Sequence, residues 1–263
     1  MTVAVTLMFL ARRRAPAGGF FTDLDRAAGV FGVLGTSFAV LLAFVIFVAF
    51  ESYGSAKDKA GQEAVSVTEL YHAAQLFPSP ARGELAGQLI CYARSVIDDE
   101  WPKMREQGQS TLVQSWLAKL DATAEHGDLA GKEPVAFGHW LDQSAARREG
   151  RRGRLAEAKP FVPQPLWLVL ILGAGLLVGF MCFFADRSEA FLVQTMMIGA
   201  ITAMVVSGLL VIRFLDRPYE NRSGSIKPAE MRQTLDLMEQ ERKQSDPEVR
   251  PPCDEQGRPL SQT

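Results

Sequence analysis

Histidine and cysteine are scarce in this chain, three of each, and they are scattered. His72, His126 and His139 stand alone with no H-E-x-x-H pair, and no glycine-rich phosphate loop or G-x-S-x-G turn is present. Cys91, Cys182 and Cys253 lie far apart with no C-x-x-C spacing, so neither a zinc site nor a disulfide framework is expected, and the cysteines read as free thiols. Enzyme readings fare badly on these grounds: no catalytic residue, no cofactor and no metal site is expected. Free thiols lean toward a soluble part facing a reducing cytoplasm. A net charge of -2 gives no reason to expect nucleic acid as a partner. No alternating strand pattern occurs, so the fold class is all-α.

Charge is missing altogether from long stretches. Ala27 to Phe50, AAGVFGVLGTSFAVLLAFVIFVAF, holds no charged residue between Arg26 and Glu51. A hydrocarbon core roughly 30 Å thick needs about 20 helical residues, so this run predicts a transmembrane helix over 27-50. Two further runs, 165-185 and 190-212, are separated by Asp186, Arg187, Ser188 and Glu189, which predicts a helical hairpin turning at the membrane surface. Trp167 and Tyr219, near its outer ends, suit the headgroup region. Proton-coupled transporters need Asp, Glu, His, Lys or Arg at membrane depth, and the spans contain none, so coupled transport is disfavoured. A pore gated by a hydrophobic constriction stays open as a reading, as does a membrane-anchored helical domain without a pore.

The remaining segments are read around these three spans. Residues 1-26 open with MTVAVTLMFLA, apolar but too short to cross unaided, and then Arg12, Arg13 and Arg14. The preferred reading is an abbreviated first span, as from a start codon set too late in the gene; the alternative is an interfacial segment. Residues 51-160 read as a helical domain. Ala60, Ala64, Val67, Leu70, Tyr71 and Ala74 continue the first span as an amphipathic helix until Phe77-Pro78. A second helix follows Pro80 with Leu85, Leu89, Tyr92 and Val96, and a third starts at Ser110 with Val113, Trp116, Leu117 and Leu120 and closes at His126-Gly127-Asp128. A fourth carries Phe137, Trp140 and Leu141 and runs into Arg154 before Pro160 breaks the chain. In the tail, 213-263, Pro228 to Gln244 predicts a peripheral amphipathic helix, and the Pro-, Glu- and Arg-rich sequence from Ser245 onward predicts disorder.

Three spans put the helical domain and the tail on one face. That face carries Lys57, Lys59, Arg147, Arg148, Arg151, Arg152, Arg154, Lys159, Arg213, Arg217, Arg222 and Lys227 near the membrane, against Arg12, Arg13, Arg14, Arg26 and Arg187 on the other. The positive-inside bias therefore places the domain and the C-terminus in the cytoplasm. The cluster from Arg147 to Arg154 could also touch anionic lipid headgroups.

Small residues recur at helical spacing in all three spans: Gly35, Ala39 and Ala43; Gly175 and Gly179; Gly199, Ala203 and Ser207. Such faces let backbones approach in lipid, so the spans are expected to pack through them, against one another or against sister subunits.

The succession GVFGVLGTSFAVLLAFVIF, FESYGSAKDKAGQEA and TELYHAAQLFP, followed by LICYARSVIDDEWPKM and, after the hairpin, LDRPYENRSGSIKP, resembles the bacterial bestrophin-like membrane family, a domain of unknown function. The resemblance covers roughly Ala27 to Leu235. It implies membrane helices flanking a large helical cytoplasmic domain in a bacterial inner membrane, and, since bestrophins are pentameric anion channels, a homo-oligomer with an inorganic-ion path. The second family span would line that path, and here the first family span is truncated. On this reading the pore-lining candidates are Thr36, Ser37, Phe44 and Phe47, with Glu51 at the cytoplasmic end. For Glu51, with Tyr53, the preferred reading is an anchor of the helix at the interface. Asp98, Asp99 and Glu100 lack the spaced ligands and glycine turn of an EF-hand loop and read as an exposed helix face or a cap. The competing function is a non-conducting membrane scaffold or sensor whose helical domain binds a protein partner.

Overall fold

The computed structural model describes residues 20–127, 133–184, 190–245 and 250–260, together with Thr6, Phe9, Arg13, Arg14 and Leu129. Apart from Thr6 and Phe9, the N-terminal apolar segment lies outside the described residues, as do the Asp186 to Glu189 turn and Asp128. The chain is helical: α1 (Leu24–Gln75), α2 (Ala81–Ser95), a π-helical turn (Val96–Glu100), α3 (Trp101–Met104), α4 (Thr111–His126), α5 (Pro134–Ala156), α6 (Gln164–Cys182), α7 (Phe191–Leu215) and α8 (Ala229–Ser245). It divides into two compact units, Met1–Ser52 with Pro160–Asp216, and Tyr53–Lys159 with Arg217–Thr263.

The first unit is the membrane unit. Its three helices, the N-terminal part of α1 with α6 and α7, are long and apolar enough to cross a bilayer. The Asp23 carboxylate accepts from the Arg26 N–H at 3.0 Å and so satisfies one of the first-turn amides of α1. Phe38, Val45, Leu170, Leu177, Val205 and Ile212 form its core. Two glycines make the close approaches. A Cβ on Gly173 would fall 2.7 Å from the Phe38 ring, and one on Gly208 would fall 2.6 Å from Leu42 Cδ2. Beyond α7, the buried Asp216 accepts from the Val162 N–H at 2.7 Å, tying down the proline-rich segment that precedes α6.

The second unit is an all-α domain whose core draws on every helix in it. The C-terminal part of α1 buries Ala56, Ala60, Ala64, Val67, Leu70 and Ala74. Small residues at this spacing let neighbouring helices approach, and no proline interrupts the run until Pro78. Ser110 caps α4, its hydroxyl accepting from the Val113 N–H at 3.0 Å. Pro134 occupies the first turn of α5, where its missing N–H costs nothing.

Several expectations need correction here. Helix α8 is not peripheral: Met231, Thr234 and Met238 are buried, and the Thr234 hydroxyl donates to the Ala64 carbonyl at 3.2 Å. The charged face that suggested a surface helix is partly engaged too, with Glu239 accepting from Arg94 at 2.7 Å. Residues 250–260 are ordered despite their composition. Cys253 and Cys91 form a disulfide across 162 residues of sequence, so only Cys182 is a free thiol. The Trp116 indole donates to the Gly257 carbonyl at 2.7 Å, and Arg94 donates to the Asp254 carbonyl at 3.0 Å. Gly257, at φ +77°, lets the turn pass against the Cys91 and Ser95 backbone where a Cβ would meet atoms at 2.6 Å. The tail makes up for its scarce apolar surface with a covalent link and buried hydrogen bonds. With the thiols paired, the cysteines no longer argue for a reducing compartment.

Tyr219 also differs from expectation. It is buried in the second unit, donates to the Ala56 carbonyl at 2.8 Å and meets Trp101 edge to face at 5.5 Å. Trp167, in contrast, packs half-buried beside the core of the membrane unit.

Candidate functional site

Two features of the chain go beyond ordinary core packing: an outward face of α1 in the membrane unit and a buried charge network in the helical domain.

Helical periodicity sets the first. Phe38, Val45 and Ala49 turn inward on α1 and are buried. Val33, Val40, Phe44 and Phe47 turn away, each more than half exposed, at 68%, 65%, 66% and 58%. Ser37 and Glu51 fall at the remaining steps of the same three-and-four spacing and Thr36 lies beside them, all exposed. Thus the structure brings Ser37, Phe44, Phe47 and Glu51 onto one exposed stripe of the chain. Tyr53 belongs to the second unit, where its hydroxyl donates to the Gly224 carbonyl at 2.6 Å.

The small-residue faces are placed differently. Gly35 does meet a neighbour, with Leu177 Cδ2 at 3.9 Å from its would-be Cβ. Gly175, Gly179 and Gly199 have nothing within 4 Å, and Ala39, Ala43, Ala203 and Ser207 are exposed. The close helix contacts within the chain therefore run through Gly173 and Gly208, two residues and one residue off the predicted repeats. Sequence spacing identified glycine-bearing helices but could not say which glycine faces a partner, because that depends on helix rotation.

The second feature begins with the segment Glu149-Gly150-Arg151-Arg152-Gly153-Arg154 of α5. A Cβ on Gly150 would lie 2.7 Å from the Glu63 backbone nitrogen, and one on Gly153 would lie 2.6 Å from Lys59 Cγ. The two glycines thus let α5 ride directly on α1. That contact delivers Arg154 to Glu63 through a forked pair, Nη2 donating to Oε1 at 2.9 Å and Nε to Oε2. Arg154 Nη2 also donates to Glu100 Oε2 at 2.7 Å, and Arg151 Nη2 donates to Glu100 Oε1. The Tyr92 hydroxyl donates to Glu63 Oε1 at 2.6 Å, while Arg154 lies over the Trp101 ring. Glu63, Glu100 and Arg154 side chains are fully buried.

The charges in this network support one another. Burial pushes the Glu100 carboxyl up, but the Arg151 hydrogen bond and the Arg154 charge outweigh it and hold the group below the usual carboxylate range. Burial and the Glu63 charge raise the Tyr92 phenol well above its ordinary value. Burial opposes the charge on Arg154, yet Glu63 and Glu100 more than compensate and raise its pKa. The π-helical turn positions these acids: its extra residue leaves Asp98 exposed, directs Asp99 to Lys103 and to the Ser110 hydroxyl, and turns Glu100 inward. The expected exposed face or cap therefore fits Asp98 and Asp99 but not Glu100. The network clamps α1, the π-helical turn and α5 together. Among the described residues no group of three or more His, Cys, Asp or Glu could hold a metal ion.

Helices that span a bilayer, and a separate all-α domain fastened by buried ion pairs, define a multi-pass membrane protein. A model of the Bestrophin-like domain matches residues 1–230, and the chain belongs to that family. The fold agrees. A bacterial Bestrophin homolog from Klebsiella pneumoniae superposes with a TM-score of 0.68 at 13% identity, covering 90% of this chain and 94% of that one. Two single-substitution variants of that homolog give TM-scores of 0.69 and 0.70 at 15% and 13% identity, covering 90% of this chain and 93% and 95% of theirs. No curated protein matches the chain by sequence.

Proposed function

We propose that this protein is a homo-oligomeric ion channel of a bacterial inner membrane, with α1 lining the ion path and the helical domain and C-terminus in the cytoplasm. The observation that carries the proposal is the uncovered stripe of α1. A single protomer exposes Ser37, Phe44, Phe47 and Glu51 along one line of a membrane helix, and symmetric assembly around such helices would enclose them. Phe44 and Phe47 would then form apolar rings that gate by dewetting, with Glu51 supplying charge at the mouth. The outward small residues, Ala39 and Ala43 on α1, Gly175 and Gly179 on α6, and Gly199, Ala203 and Ser207 on α7, would serve contacts with sister subunits and lipid. Channel activity in the wider family supports this reading, and juxtamembrane charge supports the orientation.

Planar-bilayer recording tests it. Purified protein should conduct, and Phe44→Ala and Phe47→Ala should raise the conductance or open probability. Mass measurement in detergent should give a ring of identical subunits. Silence of parent and variants, with a monomeric mass, would instead favour the non-conducting scaffold or sensor.

A further inference from the structure

The arginines of α5 do not all serve the buried network. Arg154 and Arg151 turn to Glu63 and Glu100, whereas Arg147, Arg148 and Arg152, with Arg151 and Lys159, line a cavity of about 440 Å³ closed on its other side by α4 and Gln109. None of the residues lining it is acidic. The acid within this stretch of α5, Glu149, is directed elsewhere, accepting from Lys59 at 2.9 Å.

Arg147 is the decisive member. Its side chain is buried, at 2% exposure, and its Nε and Nη1 have no hydrogen-bond acceptor. It packs instead over the Tyr92 ring, 5.3 Å from the centroid. Two buried guanidinium nitrogens without an acceptor are unfavourable, and Arg148, Arg152 and Lys159 gather further positive charge around the same cavity, whereas Arg151 is already paired with Glu100. Both conditions are relieved by the same partner. A tetrahedral oxyanion offers several acceptors that match the arginine fork, and a cavity of this size falls within the range of small-ligand sites, roughly 300–1,000 Å³.

We propose that this cavity binds a phosphate group, with Arg147 as the buried anchor and Arg148, Arg152 and Lys159 as the outer cations. The group belongs either to a free phosphate compound or to an acidic lipid headgroup. The site is separate from the α1 stripe and stands whether or not the protein conducts.

The test uses the full chain in neutral detergent at fixed ionic strength. Inorganic pyrophosphate is titrated by calorimetry. In parallel, native mass spectrometry counts bound phosphatidic acid against phosphatidylcholine. The variant Arg148→Gln/Arg152→Gln removes exposed cavity cations and leaves the buried pairs intact, and Arg105→Gln, at the C-terminal cap of α3 and not among the residues lining this cavity, controls for overall charge. Saturable pyrophosphate binding that weakens at least tenfold in the double variant and persists in Arg105→Gln supports the site with a free phosphate ligand. Selective retention of phosphatidic acid, lost in the double variant alone, supports it with a lipid headgroup. Absence of both, or binding that the double variant leaves unchanged, overturns the proposal. Melting temperature of each variant, read beside the binding data, separates lost binding from lost folding.

Discussion

Arg154 reaches across from α5 to grip both oxygens of Glu63 on α1, with neither side chain exposed to solvent. Removing one side of such a pair leaves the other charge buried without compensation, at a cost of about 3–5 kcal/mol. Arg154→Met should therefore lower the melting temperature sharply. Arg154→Lys should rescue little, because an ammonium cannot reproduce the fork that also serves Glu100. Thermal unfolding followed by tryptophan fluorescence, with Trp101 and Trp116 in the same domain, checks both variants. Unchanged melting in Arg154→Met would refute the clamp.

Gly150→Ala puts a methyl group onto backbone atoms of α1, which cannot swing aside as a side-chain tip would. About 1–3 kcal/mol of destabilisation is expected from overpacking. Gly138, in the same helix, has nothing within 4 Å of a would-be Cβ, so Gly138→Ala should be neutral or stabilising through helix propensity. Comparing denaturation midpoints of the two variants isolates helix approach from helix propensity.

The depressed Glu100 carboxyl makes stability depend on acidity in a defined direction. In the unfolded chain the group titrates near its ordinary value of 4.5, and in the fold it titrates lower. Its contribution is therefore complete above pH 4.5 and disappears as pH falls through the folded value. Melting temperature should decline on acidification below that point. Glu100→Gln should be less stable at neutral pH and should show a shallower decline, since one titrating group has been removed.

The C-terminal segment gives a chemical prediction. Reduction of Cys91–Cys253 should destabilise the helical domain by about 2–4 kcal/mol, in line with closing a long loop. It should also make residues 250–260 accessible to protease. Trp116→Phe, which removes the indole donor to Gly257, should increase that cleavage even in the oxidised protein. Time-resolved proteolysis with mass detection reads both effects.

Much of this architecture is legible from local pattern. The uncharged runs announce the spans, Ser110 announces the start of α4, and Pro80 precedes α2, because solvent preference and capping act within a few residues. Pairings between distant residues are not legible in this way. Glu100 and Arg151 are 51 positions apart, and their union requires the π-helical turn and the Gly150 contact at once. The same reason hides the disulfide: Cys253 sits in a stretch whose composition suits disorder, and only its docking on α2 brings it to Cys91. On α1, periodicity placed Phe44 and Phe47 on one face, but which face the chain itself covers depended on the rotation of α6 and α7 against it.

The helical domain takes its residues from both sides of the α6–α7 hairpin, and its core includes Met231, Met238 and Cys253 from the far side. A ribosome releases these residues only after α7 has been made. Closure of the domain therefore waits for synthesis of α7 and the tail, and during that interval α2 and α4 present apolar surface without their covering partners. A nascent chain stalled after α7 should accordingly be a preferred client for chaperones.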